Sequence, residues 1–298
     1  MIYSVGQVVF DSIGEVNRFP RPNSTTYIKK YFGLFGGAAG NFSAVCSKLS
    51  QKASLVSLVG EDFRDSGYAK YLRLNRVDLA HLKVVKGHQT PRAFMFNDAR
   101  HRQMSFFYWG AAELFHRAPV PRLEMGKKDI VHLANGDPDF NMRVAKRYPG
   151  VSFDPGYDII AYGKKEIEGV IKNTKFLTCN EFEMQRILAL LRMRDKKELF
   201  AFPVKYIIVT KGAKGSSVIT RERSFDVPAL KARFVDPTGA GDSFRAAFLT
   251  AFVRGENLEM CAKVASSVSS FIVEKYGAQT NIPTWKEAVA RLKKYNLT

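Results

Sequence analysis

Asp236-Pro237-Thr238-Gly239-Ala240-Gly241-Asp242-Ser243-Phe244 sets a turn of small residues and a carboxylate directly ahead of an apolar run. The residues that follow, Ala246, Ala247, Phe248, Leu249, Ala251, Phe252 and Val253, have the composition of a buried helix, and Gly255 ends it. Asp242 is therefore expected in, or just before, the first helical turn. Amides at a helix start lack intrahelical acceptors and the helix dipole favours negative charge there. A turn carrying Gly239 and Gly241 can bring its backbone close to an anion. A transferring phosphoryl group suits such a place. Two roles are open to Asp242: capping the helix, or accepting the proton of a hydroxyl that attacks phosphorus.

Outward from this stretch, short apolar runs alternate with helical ones, the pattern of a parallel sheet covered on both faces. Strands are expected at residues 2–10, 53–59, 130–134, 151–153, 176–179 and 207–209, and helices at 39–49, 65–73 and from 240 onward apart from a loop at 276–283. Two segments break the rhythm. Residues 12–32 are rich in Pro, Asn and Thr, and residues 92–108 alternate in strand fashion and end in Phe106-Phe107-Tyr108-Trp109. By themselves they read as surface hairpins.

The 298 residues, 46% of them hydrophobic, suffice for a substantial core. No run of 18 uncharged apolar residues is present and the start has no basic region before its apolar stretch, so neither a membrane span nor a signal peptide is expected. Cys46, Cys179 and Cys261 stand singly among apolar residues, without metal or redox spacing, and read as reduced thiols of a cytoplasmic protein. The formal charge of +18 raises the question of nucleic acid. Its lysines come in scattered pairs, such as Lys29-Lys30 and Lys164-Lys165, with no five-residue basic block, which favours solvated helix surface and no nucleic-acid partner.

Four further stretches carry chemistry in company with the first. Gly36-Gly37-Ala38-Ala39-Gly40-Asn41 is a glycine pair followed by small residues and an asparagine; Asn180-Glu181-Phe182-Glu183 follows a strand; Thr210-Lys211-Gly212-Ala213-Lys214-Gly215 follows another. Asp11 stands at the end of the first strand. Alone, each has a plain reading: a tight turn, a capping box, a loop, a strand-end aspartate. Together and in this order they resemble the ribokinase, or PfkB-type, carbohydrate and nucleoside kinases over nearly the whole chain, and are most like the archaeal nucleoside kinase branch.

The resemblance implies a single domain over residues 1–298. It would be an α/β, ribokinase-like three-layer αβα sandwich around a mostly parallel sheet, with a small β-sheet lid inserted at about 12–33 and 90–110. It implies an ATP-dependent phosphotransferase acting on an alcohol group, with the 5′-hydroxyl of a ribonucleoside as acceptor. A sugar or sugar-phosphate kinase on the same scaffold stands as the alternative. In the family's terms Asp242 is the base, and the amides of Gly239, Ala240 and Gly241 receive charge on the phosphoryl oxygens. Asp11, Gly36, Gly37 and Asn41 would hold the sugar, with Gln103 and Phe107 on the lid beside the base. Asn180, Thr210, Lys211, Gly212 and Gly215 would hold the nucleotide, and Glu183 would order Mg2+ through its waters. Gly277-Ala278-Gln279 is similar to a loop that helps bind a monovalent cation, which leaves K+ activation open. A homodimer through the lid is a further implication. Asp154-Pro155-Gly156 departs from the Asp-Pro-Asn of many fructokinase-like members, and this counts against a fructose-type acceptor.

Overall fold

Residues 2–10, one apolar run in the sequence, divide at Gly6. The strand β1 (Ile2–Val5) ends there, Gly6 takes a φ of 146°, and the chain resumes as β2 (Val9–Val16) in a different sheet. Hydropathy does not mark the break because Val8 and Val9 are as buried as β1 itself.

The computed structural model describes residues 1–100 and 102–295. After β2 come β3 (Ile28–Gly36), α1 (Ala38–Lys48), β4 (Ala53–Gly60), α2 (Gly67–Leu74), β5 (Leu82–Val85), β6 (Arg92–Asn97) and β7 (Gln103–Tyr108). The middle of the chain holds β8 (Ile130–Leu133), α3 (Pro138–Arg147), β9 (Val151–Phe153), α4 (Lys164–Ile171), β10 (Thr174–Asn180) and α5 (Glu181–Leu191). It closes with β11 (Tyr206–Thr210), β12 (Ser216–Ile219), β13 (Ser224–Val227), α6 (Ala240–Val253), α7 (Leu258–Ile272) and α8 (Trp285–Lys294).

The large sheet has the order β13-β12-β11-β10-β9-β8-β1-β4-β5. It is parallel from β11 to β5, and β12 and β13 extend one edge antiparallel. Successive side chains of a strand point to opposite faces, so each buried strand feeds two cores. Ile2, Ile130, Phe176 and Ile208 join residues of α1, α6, α7 and α8 in one core. Val5, Leu133, Leu177 and Val209 join residues of α3, α4 and α5 in the other. Helix, sheet and helix therefore form three layers, as expected.

The second sheet has the order β3-β2-β6-β7, with β2 and β6 parallel and both outer pairs antiparallel. It begins and ends somewhat differently from the expected 12–33 and 90–110, since β2 starts at Val9 and β3 runs to Gly36. Register fixes its faces. Leu34, Asp11, Ala93 and Phe107 are paired in one row, and paired residues share a face. Among the described residues no helix is long and apolar enough to cross a membrane.

Candidate active site

The Gly239 turn delivers α6 to the carboxyl edge of the large sheet. Gly239 is the N-cap residue, at φ 77°, and no side chain caps the helix. A Cβ at this position would collide with Ala278, so the turn lies directly on the 277–279 loop. Asp236, buried before the turn, braces both: its Oδ1 accepts from the Thr238 N–H (3.0 Å) and hydroxyl (2.7 Å), and its Oδ2 from the Gly277 N–H (2.8 Å). Of the three amides expected to meet a phosphoryl group, that of Ala240 is already closed onto the Pro237 carbonyl at 3.1 Å. Among the described residues the N–H groups of Gly239, Gly241 and Asp242 have no such partner. The amides left open at this turn are thus those of Gly239, Gly241 and Asp242.

Asp242 does not cap the helix. It sits in the first turn, its side chain 18% exposed, and its Oδ2 accepts from Asn41 Nδ2 at 2.8 Å. Asn41 is itself fixed, its Oδ1 accepting from Gln279 Nε2 at 2.8 Å. That nitrogen also donates to Tyr68 at 2.6 Å, and the Tyr68 hydroxyl donates to the Gly36 carbonyl at 2.8 Å. One chain of hydrogen bonds thus links α6, α1, the 277–279 loop, α2 and the end of β3. Burial pushes the Asp242 carboxyl up, and Arg245 and the Asn41 N–H act against that shift. A buried carboxylate with an oriented, partly open oxygen can accept a proton from an incoming hydroxyl.

Asp11 lies against Gly36, where a Cβ would occupy the position of its carboxylate. Gly37, at φ 84°, lies against the Gln7 carbonyl. Burial, followed by the charges of Asp236 and Asp242, pushes the Asp11 carboxyl up to about 7. Asp11 thus lies within electrostatic reach of Asp236 and Asp242, and Asp11, Gly36, Gly37, Asn41 and Asp242 stand in one neighbourhood. Phe107 lies in the Asp11 row, and Gln103, four residues away on β7, shares its face. Phe106 is on the other. A cleft of 320 Å³ touches Asp11 but not Asp242. It takes its walls from Phe10, Tyr31, Phe35 and Arg92, which alternate with Asp11 and Leu34 along the strands.

On the other side of α6, β10 and β11 set Asn180 beside Thr210 in register. Asn180 and Glu183 form a capping box. The Glu183 N–H donates to Asn180 Oδ1, while Glu183 Oε2 and Oε1 accept from the Asn180 N–H and Nδ2, each at 2.8 Å. The plain reading of Asn-x-x-Glu is thus realised, and both Glu183 oxygens have partners. Lys211 is occupied as well, its Nζ lying 3.1 Å from Asp226. Gly212, at φ 56°, opens onto free space, whereas Gly215 lets the chain pass the Val227 carbonyl. Of these two glycines, Gly212 faces open space and Gly215 is closed against the strand β13.

Sequence reasoning passed over two groups. Tyr68 lies within the helix expected at 65–73 and Arg245 within the helix expected from 240 onward, and neither was marked by its neighbours. Arg245 is buried, 2.7 Å from Asp154, 3.7 Å from Asp242 and 3.9 Å from Glu183. Burial raises the Asp154 carboxyl well above its usual range, and Arg245 opposes that shift.

Comparison with known proteins places this geometry in a family. The profile described as pfkB family carbohydrate kinase matches residues 1–285. The chain is 40% identical over 300 residues to the nucleoside kinase of Methanocaldococcus jannaschii, covering 99% of this chain and 98% of that one. It is 41% identical over 294 residues to the nucleoside kinase of Methanothermobacter thermautotrophicus, covering 97% and 94%. The crystal structure of the M. jannaschii enzyme, an archaeal member of the ribokinase family, superposes with a TM-score of 0.94 over 98% of both chains. A Burkholderia thailandensis nucleoside kinase in complex with inosine shares the fold, with a TM-score of 0.88 at 21% identity over 99% of this chain and 98% of that one. The chain belongs to the pfkB family of carbohydrate kinases and is a phosphotransferase that acts on an alcohol group.

Proposed function

We propose that this chain is a nucleoside kinase that transfers the γ-phosphoryl group of ATP to the 5′-hydroxyl of a ribonucleoside. The observation that carries the reading is the α6 start, where unpartnered amides of Gly241 and Asp242 adjoin a carboxylate oriented by Asn41. Two archaeal relatives of 40% and 41% identity over nearly the whole chain, both nucleoside kinases, support the acceptor class.

Asp11 accepts hydroxyls of the ribose, with Gly36 and Gly37 leaving room for the ring. Gln103 and Phe107 cover the base from the lid. Asn180, Thr210 and Gly212 face the nucleotide phosphates; Gly215 shapes that loop and Lys211 contributes its charge alongside Asp226. Asp242 takes the hydroxyl proton as the new bond to phosphorus forms. The amides at the start of α6 meet charge on the phosphoryl oxygens, and the lid excludes water.

Among the described residues no three His, Cys, Asp or Glu side chains converge as a metal cage. That suits an ion that keeps most of its water and binds chiefly through substrate phosphates. Asn180 and Glu183 would hold Mg2+ through water, and the ion would neutralise phosphate charge when bound. Gln279 Oε1 in the 277–279 loop, a buried acceptor without a donor among the described residues, is the polar group on which K+ activation is to be tested. The 1–298 chain acts as one catalytic unit. Its place is the cytoplasm, in keeping with three free buried cysteines. The lid face opposite Phe107, which exposes Tyr31, Met104 and Phe106, meets a second copy.

The test is ADP release from magnesium-ATP against nucleosides, ribose, fructose and fructose 6-phosphate, each with and without K+. Turnover on nucleosides is expected, and turnover on sugars alone would overturn the acceptor. Asp242→Asn is expected to lower kcat by about 100-fold or more with both KM values nearly unchanged. Near-normal kcat in that variant would remove Asp242 from the base role.

A further inference from the structure

We infer that Arg245 is a positioning residue of the transfer reaction, clamped by Asp154 so that its guanidinium holds Asp242 in register with the α6 amides. The inference rests on the reading of Asp242 as base. Arg245 follows Asp242 by three residues and so lies on the same face of α6. Its side chain is 8% exposed, and its partners come from three elements: Asp154 after β9, Glu183 on α5 and Asp242 on α6.

The close contact is with Asp154, at 2.7 Å; Asp242 Oδ1 lies 3.7 Å from Nη1. Asn41 meanwhile holds Asp242 Oδ2 from the opposite side at 2.8 Å. The base is therefore hydrogen-bonded from α1 on one oxygen, while the other faces the Arg245 cation of its own helix at ion-pair distance. A Cβ on Gly241 would stand 2.5 Å from Arg245 Nη1, so the guanidinium lies directly against the backbone turn that presents the free amides. The second glycine of the opening motif thus leaves room for the guanidinium, whose flexible end would have to shift if a side chain were added there.

Stability alone gives a poor account of this arrangement. Among the described residues Arg245 Nε is buried without an acceptor, and three carboxylates lie within 3.9 Å of one cation. Buried ion pairs of this kind are often replaceable by apolar side chains at no loss of stability. The arrangement instead places a fixed cation between the proton acceptor and the carboxylate on the nucleotide side.

The test uses the full-length protein, comparing Arg245→Lys, Arg245→Gln and the double variant Arg245→Gln/Asp154→Asn, with Asp242→Asn alongside. The double variant removes the cation together with the carboxylate it balances, so it is expected to melt near the wild-type temperature. Its kcat is expected to fall about tenfold to 100-fold, the scale of a misplaced catalytic group, with both KM values within about threefold. Arg245→Lys, which keeps the charge but not the fork, is expected to recover part of kcat and serves as the readout should the Gln variants fail to fold. Wild-type kcat in the double variant, or in Arg245→Lys if that alone folds, would show that Arg245 only offsets Asp154 and would overturn the inference. A fall in kcat matched by the loss of folded protein would overturn it too. An active Asp242→Asn would instead sink the base assignment, which separates the two failures.

Discussion

Asp11 brings a carboxyl group into a site that already holds Asp236 and Asp242, and burial together with those charges pushes it up to about 7. The folded group therefore titrates above its ordinary 3.8. Between about pH 4 and pH 7 the folded chain keeps a proton that the unfolded chain has lost. The contribution of Asp11 to stability consequently falls as pH rises through that window and is level above it. Acceptor binding runs the other way, because the ionised carboxylate offers both oxygens as charged acceptors to hydroxyl donors, whereas protonation removes the charge and turns one oxygen into a donor. The nucleoside KM is expected to fall as pH rises through about 7, and a KM measured from pH 5.5 to 8.5 checks it. Asp11→Asn should flatten that dependence and raise KM by about 10- to 100-fold, the worth of hydrogen bonds to a charged group. A profile that Asp11→Asn leaves unchanged would place the titration elsewhere. Asp11, Asn41 and Asp242 were all legible as single residues, because each stands in or near a short contiguous motif. Their linkage was not. Asn41 and Asp242 are 201 positions apart, and Gln279 reaches Tyr68 across 211, distances over which hydropathy and spacing carry no information.

At the scale of elements, the lid turns on the two faces of β7. Phe107 shares the row of Asp11 and Phe106 points the other way, so neighbouring rings of the same chemistry lie on opposite faces. Phe107→Ala is expected to raise the nucleoside KM about tenfold, in line with the loss of an aromatic contact and its buried area, with the ATP KM unaltered. Phe106→Ala should leave both KM values in place and weaken self-association, read by light scattering across a concentration series. Equal effects of the two variants on KM would contradict the assignment of faces. The alternation within β7 could be read from the sequence, but its phase could not, since that depends on pairing with β6. The same limit explains the strands that were missed. β5 and β13 have mixed burial with four residues each, and β12 follows β11 after a turn of its own, so none gives a run long enough to stand out. The long helices α6 and α7 were legible because they are apolar over three turns or more.

At the scale of the whole molecule the charge of +18 awaits a use. Lys146, Lys164, Lys165 and Lys172 surround a cleft of 510 Å³ between α3 and α4, a cluster that no contiguous basic block announced because it comes from two helices. Lys172 of that cluster is paired with Glu168, and near the proposed nucleotide site Lys211 is paired with Asp226 and Arg245 with Asp154. Attraction of ATP is expected to come chiefly from the summed field of the basic surface, and fields of this kind are screened by salt. Raising the ionic strength from about 0.01 to about 0.1 M shortens the Debye length from about 30 to about 10 Å. Over that range kcat/KM for magnesium-ATP is expected to fall several-fold, while kcat/KM for an uncharged nucleoside, measured at saturating ATP, holds steady. The neutral acceptor is the internal control, since a general effect of salt on the enzyme would lower both together. A parallel fall would show that the positive charge does not steer the nucleotide, whereas a fall confined to ATP would tie the basic surface to the rate at which the phosphoryl donor arrives.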